Sequence, residues 1–468
     1  MRATGQAGSA GGPQVSRIRG VRNPPPMHAS PRPYAAAIVP PWEKGLLAAF
    51  IVVSLAFPFI RTIDFLANNT LADASFSEGS IWLQAVFGPL FLLAAIQAWH
   101  HGRWTFRVLR TANPFLLAVI AWAALTVLWS PYPEVTVKRS IQQMGLVLIG
   151  LSLTLPFVSH DFFARVLHRA LIALLIVSFI VVLLFPSVGI DRLREGGWHG
   201  ILWHKNTLGV VACFATVLGV YRIARNDGDR RGQLALLVFA LFMLVMSRSS
   251  TALLSGLLGS GFFLFLRKPY LGGRYALPQI GLVLGIAVAL VLLLAFLALG
   301  RLPGWDDLAA PLLSLLNKSP DLTGRTELWV LVQQEIARHP IQGIGYGAFW
   351  LNIGSPSQYV IDALNWIPLQ AHNGYIDLLN ELGWIGVCLF AAMLLWHLAS
   401  LIQLGRHDRD LAALHGAFFL LILVSNLSES QFFSGVLFQN CLLIYSSLLL
   451  SAHNRVRDAM PGAPRGAG

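Results

Sequence analysis

Charge is scarce in this chain. Only 12% of its 468 residues are Asp, Glu, Lys or Arg, and 55% are hydrophobic. The mean hydropathy is +0.63, which excludes a soluble domain of this length, in which about a quarter of the residues carry charge. Cysteine is scarcer still. Cys213, Cys388 and Cys441 all lie in apolar runs, with neither a disulfide framework nor metal-ligand spacing. Acidic residues number 22 against 34 basic ones, a net charge of +12. The arginines are scattered between apolar stretches rather than gathered on one face, so membrane topology accounts for them better than nucleic acid does. Strand-like alternation is also missing. Runs such as "GLVLGIAVALVLLLAFLALG" at 281–300 are continuous, which excludes a barrel and leaves helices as the only spanning structure.

Apolar stretches close to the roughly 20 residues that cross a bilayer recur along the chain. They predict an all-α polytopic membrane protein with about 12 transmembrane helices. The expected spans are 46–60, 81–99, 115–129, 141–158, 171–185, 206–221, 234–246, 252–266, 280–299, 383–401, 411–424 and 436–450. Residues 1–41 are rich in Gly, Pro, Ala, Ser and Arg without an apolar core, so they read as a disordered tail and not a signal peptide, with Met27 an alternative start to Met1. Residues 42–300 then hold helices 1–9, 301–382 a large and partly helical outer loop, 383–452 helices 10–12, and 453–468 a second tail. Arg103, Arg107, Arg110, Arg165, Arg169, Arg222, Arg225, Arg230, Arg231, Arg267, Lys268, Arg274, Arg406 and Arg409 all fall on the side of the tails, which places both termini in the cytoplasm.

The opposite face holds basic residues that this rule does not require. "WHGILWHKNTLGVVACF" at 198–214 sets His199, His204 and Lys205 against a hydrophobic helix, and Lys138, Arg139, Arg192, Arg194, Arg248, Arg325 and His372 share that side. Cations around a membrane pocket suit a phosphate or diphosphate. Single basic residues at helix ends also serve as snorkelling anchors, and Asp191, Glu195, Glu327 and Asp377 are available as structural partners. Arg248 sits in the tight link "SRSSTALL", where burial costs roughly 2.5 to 3.5 kcal/mol near the membrane centre unless an anion compensates. "DLTGRTELWVLVQQEIARHP" predicts a helix capped by Thr323 and ending at Pro340, with Arg325 in its positive first turn. "IQGIGYGAFW" lacks the strand and lysine of a nucleotide loop and also reads as an ordinary turn. His372 precedes the next span, placed either as a general base or as an interfacial histidine bonded to a loop carbonyl.

"LWSPYPEVTVKRS", "WHKNTLG", "SRSSTALL", "TGRTELW", "HPIQGIGYGAFW" and "AHNGYIDLLNELG", in this order, resemble the O-antigen ligase superfamily, membrane enzymes that include O-antigen ligases and exopolysaccharide polymerases. The resemblance runs from about Trp42 to the last span. It implies inverting, metal-independent transfer of glycan from a polyprenyl-diphosphate-linked oligosaccharide on the periplasmic face of a bacterial inner membrane, without cofactor. Carried onto this chain, Arg248 and Arg325 hold the diphosphate and His372 is the base for the acceptor hydroxyl. His204, Lys205, Asn206, Arg139, Arg192, Arg194 and Asn373 are expected to bind substrate. "HKN" at 204–206 resembles the polymerase branch, whose acceptor is a lipid-linked repeat; the alternative is a ligase acting on lipid A core. A flippase and a chain-length regulator are the implied neighbours. From other classes, a lipid-linked oligosaccharide transporter and a non-catalytic export scaffold also fit a helix bundle. The chain shows no obvious internal repeat, and its polar residues gather at one face.

Overall fold

The computed structural model describes residues 40–59, 81–155, 160–191, 196–267, 325–351 and 353–458. The expected span 280–299, Thr323, Arg192 and Arg194 lie outside them. The described residues form α1 (Pro41–Ala56), α2 (Ile81–His100), α3 (Gly102–Leu109), α4 (Pro114–Leu125), α5 (Pro133–Leu153), α6 (His160–Leu184), α7 (Lys205–Ala224), α8 (Arg230–Met246), α9 (Ser250–Arg267), α10 (Arg325–Arg338), α11 (Gln358–Leu364), α12 (Gly374–Gly405), α13 (Arg409–Ser425) and α14 (Phe438–Asp458). Short 3-10 turns extend α1 to Phe59 and α4 to Leu128. Two residues on each side, Ile190–Asp191 and Gly197–Trp198, pair antiparallel in a small hairpin before α7.

Helices occupy every expected span that falls within the described residues. Six of them are long and apolar enough to cross a membrane: α1 with its 3-10 turn, α2, α6, α7, α9 and α12. Three helices begin well before their expected spans: α6 at His160 and not 171, α12 at Gly374 and not 383, and α5. α5 starts at Pro133, eight positions before the expected 141, because Pro133 supplies a preset first-turn φ and Glu134 meets the helix dipole. Lys138 and Arg139 are therefore helical residues and not loop residues.

α7 is the most completely buried candidate span and packs against α6, α8, α9 and α13. Small residues allow this closeness, as expected where lipid is as apolar as the side chains and packing must drive association. A Cβ on Gly209 would lie 2.6 Å from the Ala252 Cβ of α9. Lower in the core, the Phe214 ring meets Phe418 of α13 at 5.7 Å and Phe438 of α14 at 4.9 Å. At the C-terminal end of α7 the helix ends are tied by ions. Arg225 bridges Asp161 and Asp408, each at 3.3 Å, Arg222 meets Asp227 at 3.0 Å, and Arg267 meets Asp410 at 2.9 Å. The partly exposed pairs of Arg225 and Arg267 contribute about 0–1 kcal/mol each, so their main effect is to fix helix register, while Arg222 is buried.

α12 contains a break. Gly383 has φ 62° and ψ −172°, a conformation open only to glycine. The backbone groups freed there are paired by the segment following Pro340: Ile344 N–H donates to Asn380 O (3.0 Å), Gly345 N–H to Glu381 O (3.1 Å) and Trp384 N–H to Pro340 O (2.9 Å). Two indoles of α4 and its extension close the junction, Trp122 donating to Leu382 O and Trp129 to Gly343 O. "IQGIGYGAFW" is thus no ordinary turn. It completes the hydrogen bonding of an interrupted helix, as low-dielectric surroundings require.

Candidate functional site

At the N-terminal end of α7, a cavity of about 620 Å³ opens between α7, α9, α13, the connection after α13 and the first residues of α14. Its wall on α7 is one helical face, with Asn206 and Thr207 followed by Val210, Cys213 and Phe214, so the lining turns from polar to apolar along the helix, and Trp203 just before α7 adds to it. α9 adds Thr251, Ala252 and Ser255, and α13 adds Leu421 and Ser425. His204, Arg325, His372 and Glu429 line the same space. A ligand with a charged group and an apolar body matches this gradient.

His372 is held from one side. Its Nδ1 lies 3.3 Å from Glu429 Oε2, which also accepts from Gln370 Nε2 at 2.8 Å. The Gln370 amide orientation follows from its other end, where Oε1 accepts the Ser430 N–H at 2.9 Å. The tautomer with its proton on Nδ1 donates to Glu429 and leaves Nε2 as the basic nitrogen; Gln370 Nε2 stands 3.3 Å from the same Nδ1. The partner is a carboxylate and not the loop carbonyl weighed from sequence. Burial pushes the Glu429 carboxyl up, but the hydrogen bond and charge of His372, then the Arg325 charge, overcome it and hold the group below the usual carboxylate range.

Backbone conformation points to the same residues. Five non-glycine residues among those described have positive φ, and Arg248 (51°) and His372 (53°) are two of them. Strain of this kind persists only where surrounding contacts impose it. For His372 one such contact is Asp377, whose buried carboxylate accepts from Ala371 N–H at 3.0 Å and from the Trp350 indole at 2.7 Å. Among the described residues Asp377 therefore pairs with the turn before His372 and with "GAFW", not with an arginine.

Arg325 begins α10, as expected. Its Nη1 donates to Ser428 O at 3.1 Å and its Nη2 lies 3.8 Å from Glu429 Oε1. One carboxylate thus faces Arg325 with one oxygen and His372 with the other. Glu429 was not among the residues singled out from sequence: "NLSESQFF" reads as a polar connection, and nothing local marks its glutamate.

The remaining expected site residues divide. His204 lines the cavity and also caps α7, its Nδ1 accepting the Asn206 N–H at 3.2 Å. Asn206 lines it as well. Arg248 lies one residue from the lining residue Ser249, and its exposed guanidinium sits against the hairpin, with Nη1 3.6 Å from where a Cβ on Gly196 would be. Lys205 packs on the same hairpin, its Cδ 2.8 Å from a Cβ position on Gly197. Arg139 lies elsewhere, across Gly347, with Cδ 2.2 Å from that residue's Cβ position. Asn373 caps α12, its Oδ1 accepting from Tyr375 and Ile376 N–H. His199 is buried with Nδ1 3.1 Å from Leu202 O, a structural contact within the loop.

Comparison with known proteins agrees with the motif resemblance. The O-antigen ligase family model matches residues 235–391, a stretch that takes in Arg248, Arg325 and His372 and stops before Glu429. The chain is 27% identical over 316 residues to "Exopolysaccharide production protein ExoQ" of Rhizobium meliloti, covering 63% of this chain and 67% of that one. It is 23% identical over 320 residues to a "Putative polysaccharide ligase" of Rickettsia felis, covering 65% of this chain and 74% of that one.

Proposed function

We propose that the protein is an inner-membrane glycosyltransferase that polymerises polyprenyl-diphosphate-linked oligosaccharide repeats on the periplasmic face. The observation that carries this reading is the linkage of His372 and Arg325 through Glu429 at the wall of one cavity. The acceptor hydroxyl oxygen forms a bond to the anomeric carbon while the bond from that carbon to the diphosphate oxygen breaks, inverting the configuration. His372 Nε2 takes the hydroxyl proton, and Glu429 stabilises the imidazolium that results. Negative charge grows on the departing lipid diphosphate, where Arg325, supported by Arg248 from the adjoining link, meets it. The diphosphate is already an activated leaving group, so no nucleotide enters the scheme.

In this reading, twelve spans carry the chain across the membrane, both termini are cytoplasmic and 301–382 is periplasmic. The likeness to a protein named for exopolysaccharide production supports the polymerase form. The family description and the second relative's name support a ligase acting on lipid A core as the second form. A transporter is less well supported. Transporters place helix breaks at the substrate site, whereas the break at Gly383 is filled by the segment after Pro340 and does not line the cavity.

The test is transfer by purified protein in nanodiscs supplied with a lipid-linked repeat. Longer glycan should form without added nucleotide or metal, and His372→Ala and Arg325→Ala should abolish it while the protein stays folded. Full activity in both variants overturns the assignment. Lipid A core offered in place of the second repeat separates ligase from polymerase.

A further inference from the structure

α3 and α4 meet at 93°. Because α4 follows the direction of a span, α3 runs across it, in the plane of the membrane surface. Its position is fixed by one buried face: Val108 is buried, and the Trp104 indole donates to Thr154 O at the end of α5 (3.1 Å). The opposite face is exposed and carries Arg103, Phe106, Arg107 and Arg110 at successive one-turn spacing.

Four other arginines at the same end of the bundle are satisfied by carboxylates. Arg165, Arg222, Arg225 and Arg267 each meet an aspartate within 3.5 Å. Among the described residues, no carboxylate pairs with Arg103, Arg107 or Arg110; Arg107 and Arg110 instead lie 5.8 Å and 5.6 Å from the ring centres of Trp104 and Phe106. The nearby acid Glu43 is taken by His101 at 2.6 Å. Trp99, 89% exposed, and Phe106, 62% exposed, flank the row. Exposed aromatic rings beside cations without a carboxylate partner on an in-plane helix form the kind of surface that lipid headgroups contact.

We propose that α3 is a binding site for anionic phospholipid headgroups, with Arg103, Arg107 and Arg110 contacting phosphates and Phe106 entering the acyl boundary. The site lies at the opposite end of the bundle from the His372 cavity and does not depend on the catalytic reading.

The experiment titrates phosphatidylglycerol, and separately phosphatidylcholine, into full-length protein in neutral detergent. Bound lipid is counted by native mass spectrometry, and the melting temperature is followed alongside. Phosphatidylglycerol should bind more tightly and raise the melting temperature, with both effects weakening in high salt. Joint replacement Arg103→Gln, Arg107→Gln and Arg110→Gln should weaken its binding on the order of 100-fold, from the roughly five-fold that each surface cation contributes. Replacement of all three by Lys should retain most of the binding, which also guards against loss of folding in the glutamine variant. Equal affinity for the two lipids, or wild-type phosphatidylglycerol affinity in a folded glutamine variant, overturns the proposal.

Discussion

Glu429 Oε2 lies 3.3 Å from His372 Nδ1 although the two residues are 57 positions apart. The contact joins the turn before α12 to the connection after α13, and with Arg325 it gives the cavity a cation, an anion and an imidazole in contact. In the tautomer that donates from Nδ1 to Glu429, Nε2 is the nitrogen free to accept a proton. Glu429→Gln keeps the shape but removes the charge that stabilises a protonated His372. Transfer is expected to fall by about 100-fold or more, mainly in kcat. Steady-state kinetics with a lipid-linked repeat checks this, and an unchanged kcat refutes the role.

Stability should report the same carboxylate. Its folded value is lowered, so its stabilising contribution is complete above the unfolded glutamate value of about 4.3 and is lost as pH falls through the lower folded value. The melting-temperature difference between wild type and Glu429→Gln is expected to shrink as pH falls below about pH 4. Thermal scans of both proteins across that range measure it. A difference that grows in acid contradicts the sign.

Asp377 is expected to act on the proposed reaction through His372, whose turn it holds. Asp377→Asn keeps one acceptor oxygen for two N–H donors, the Ala371 amide and the Trp350 indole. The His372 turn should then lose its fixed placement, with kcat lowered by about 10-fold and KM for the lipid-linked donor near wild type. Parallel loss in both constants would instead mean that the pocket itself had collapsed.

Gly383→Ala tests the repaired helix. A Cβ there would stand 2.3 Å from Ile341 O and 2.5 Å from Gly343 N. Strain and overpacking together should cost about 3 kcal/mol or more, seen as a large drop in melting temperature or in yield of folded protein. A near-wild-type protein would show that the segment after Pro340 moves aside readily.

Hydropathy made the helices legible because each span has to bury its own backbone polarity, and that demand is written in consecutive residues. The start expected for the tenth span, Gly383, coincides with the observed break, since the apolar run begins where the chain turns. Arg325 and His372 were legible from residue type beside a span. Glu429 was not: its role comes from a contact between distant segments, and a lone glutamate in "SES" has no periodicity to betray it. Arg139 shows the converse. Its charge stands out in sequence, but the extension of α5 to Pro133 carries it away from the cavity and onto Gly347. The value of "IQGIGYGAFW" was equally hidden, because a loop that supplies hydrogen bonds to a helix looks locally like any glycine-rich turn.

The interrupted α12 bears on how the chain is assembled. The strip of backbone that heals the interruption lies upstream of it, so it leaves the ribosome first and is available before the broken helix is complete. Membrane insertion then need not leave open peptide groups facing hydrocarbon, each of which costs several kcal/mol there. The order of synthesis is built into the joint: moving the 340–347 strip downstream of α12 by circular permutation would preserve every contact of the finished structure, yet expose the interruption during insertion.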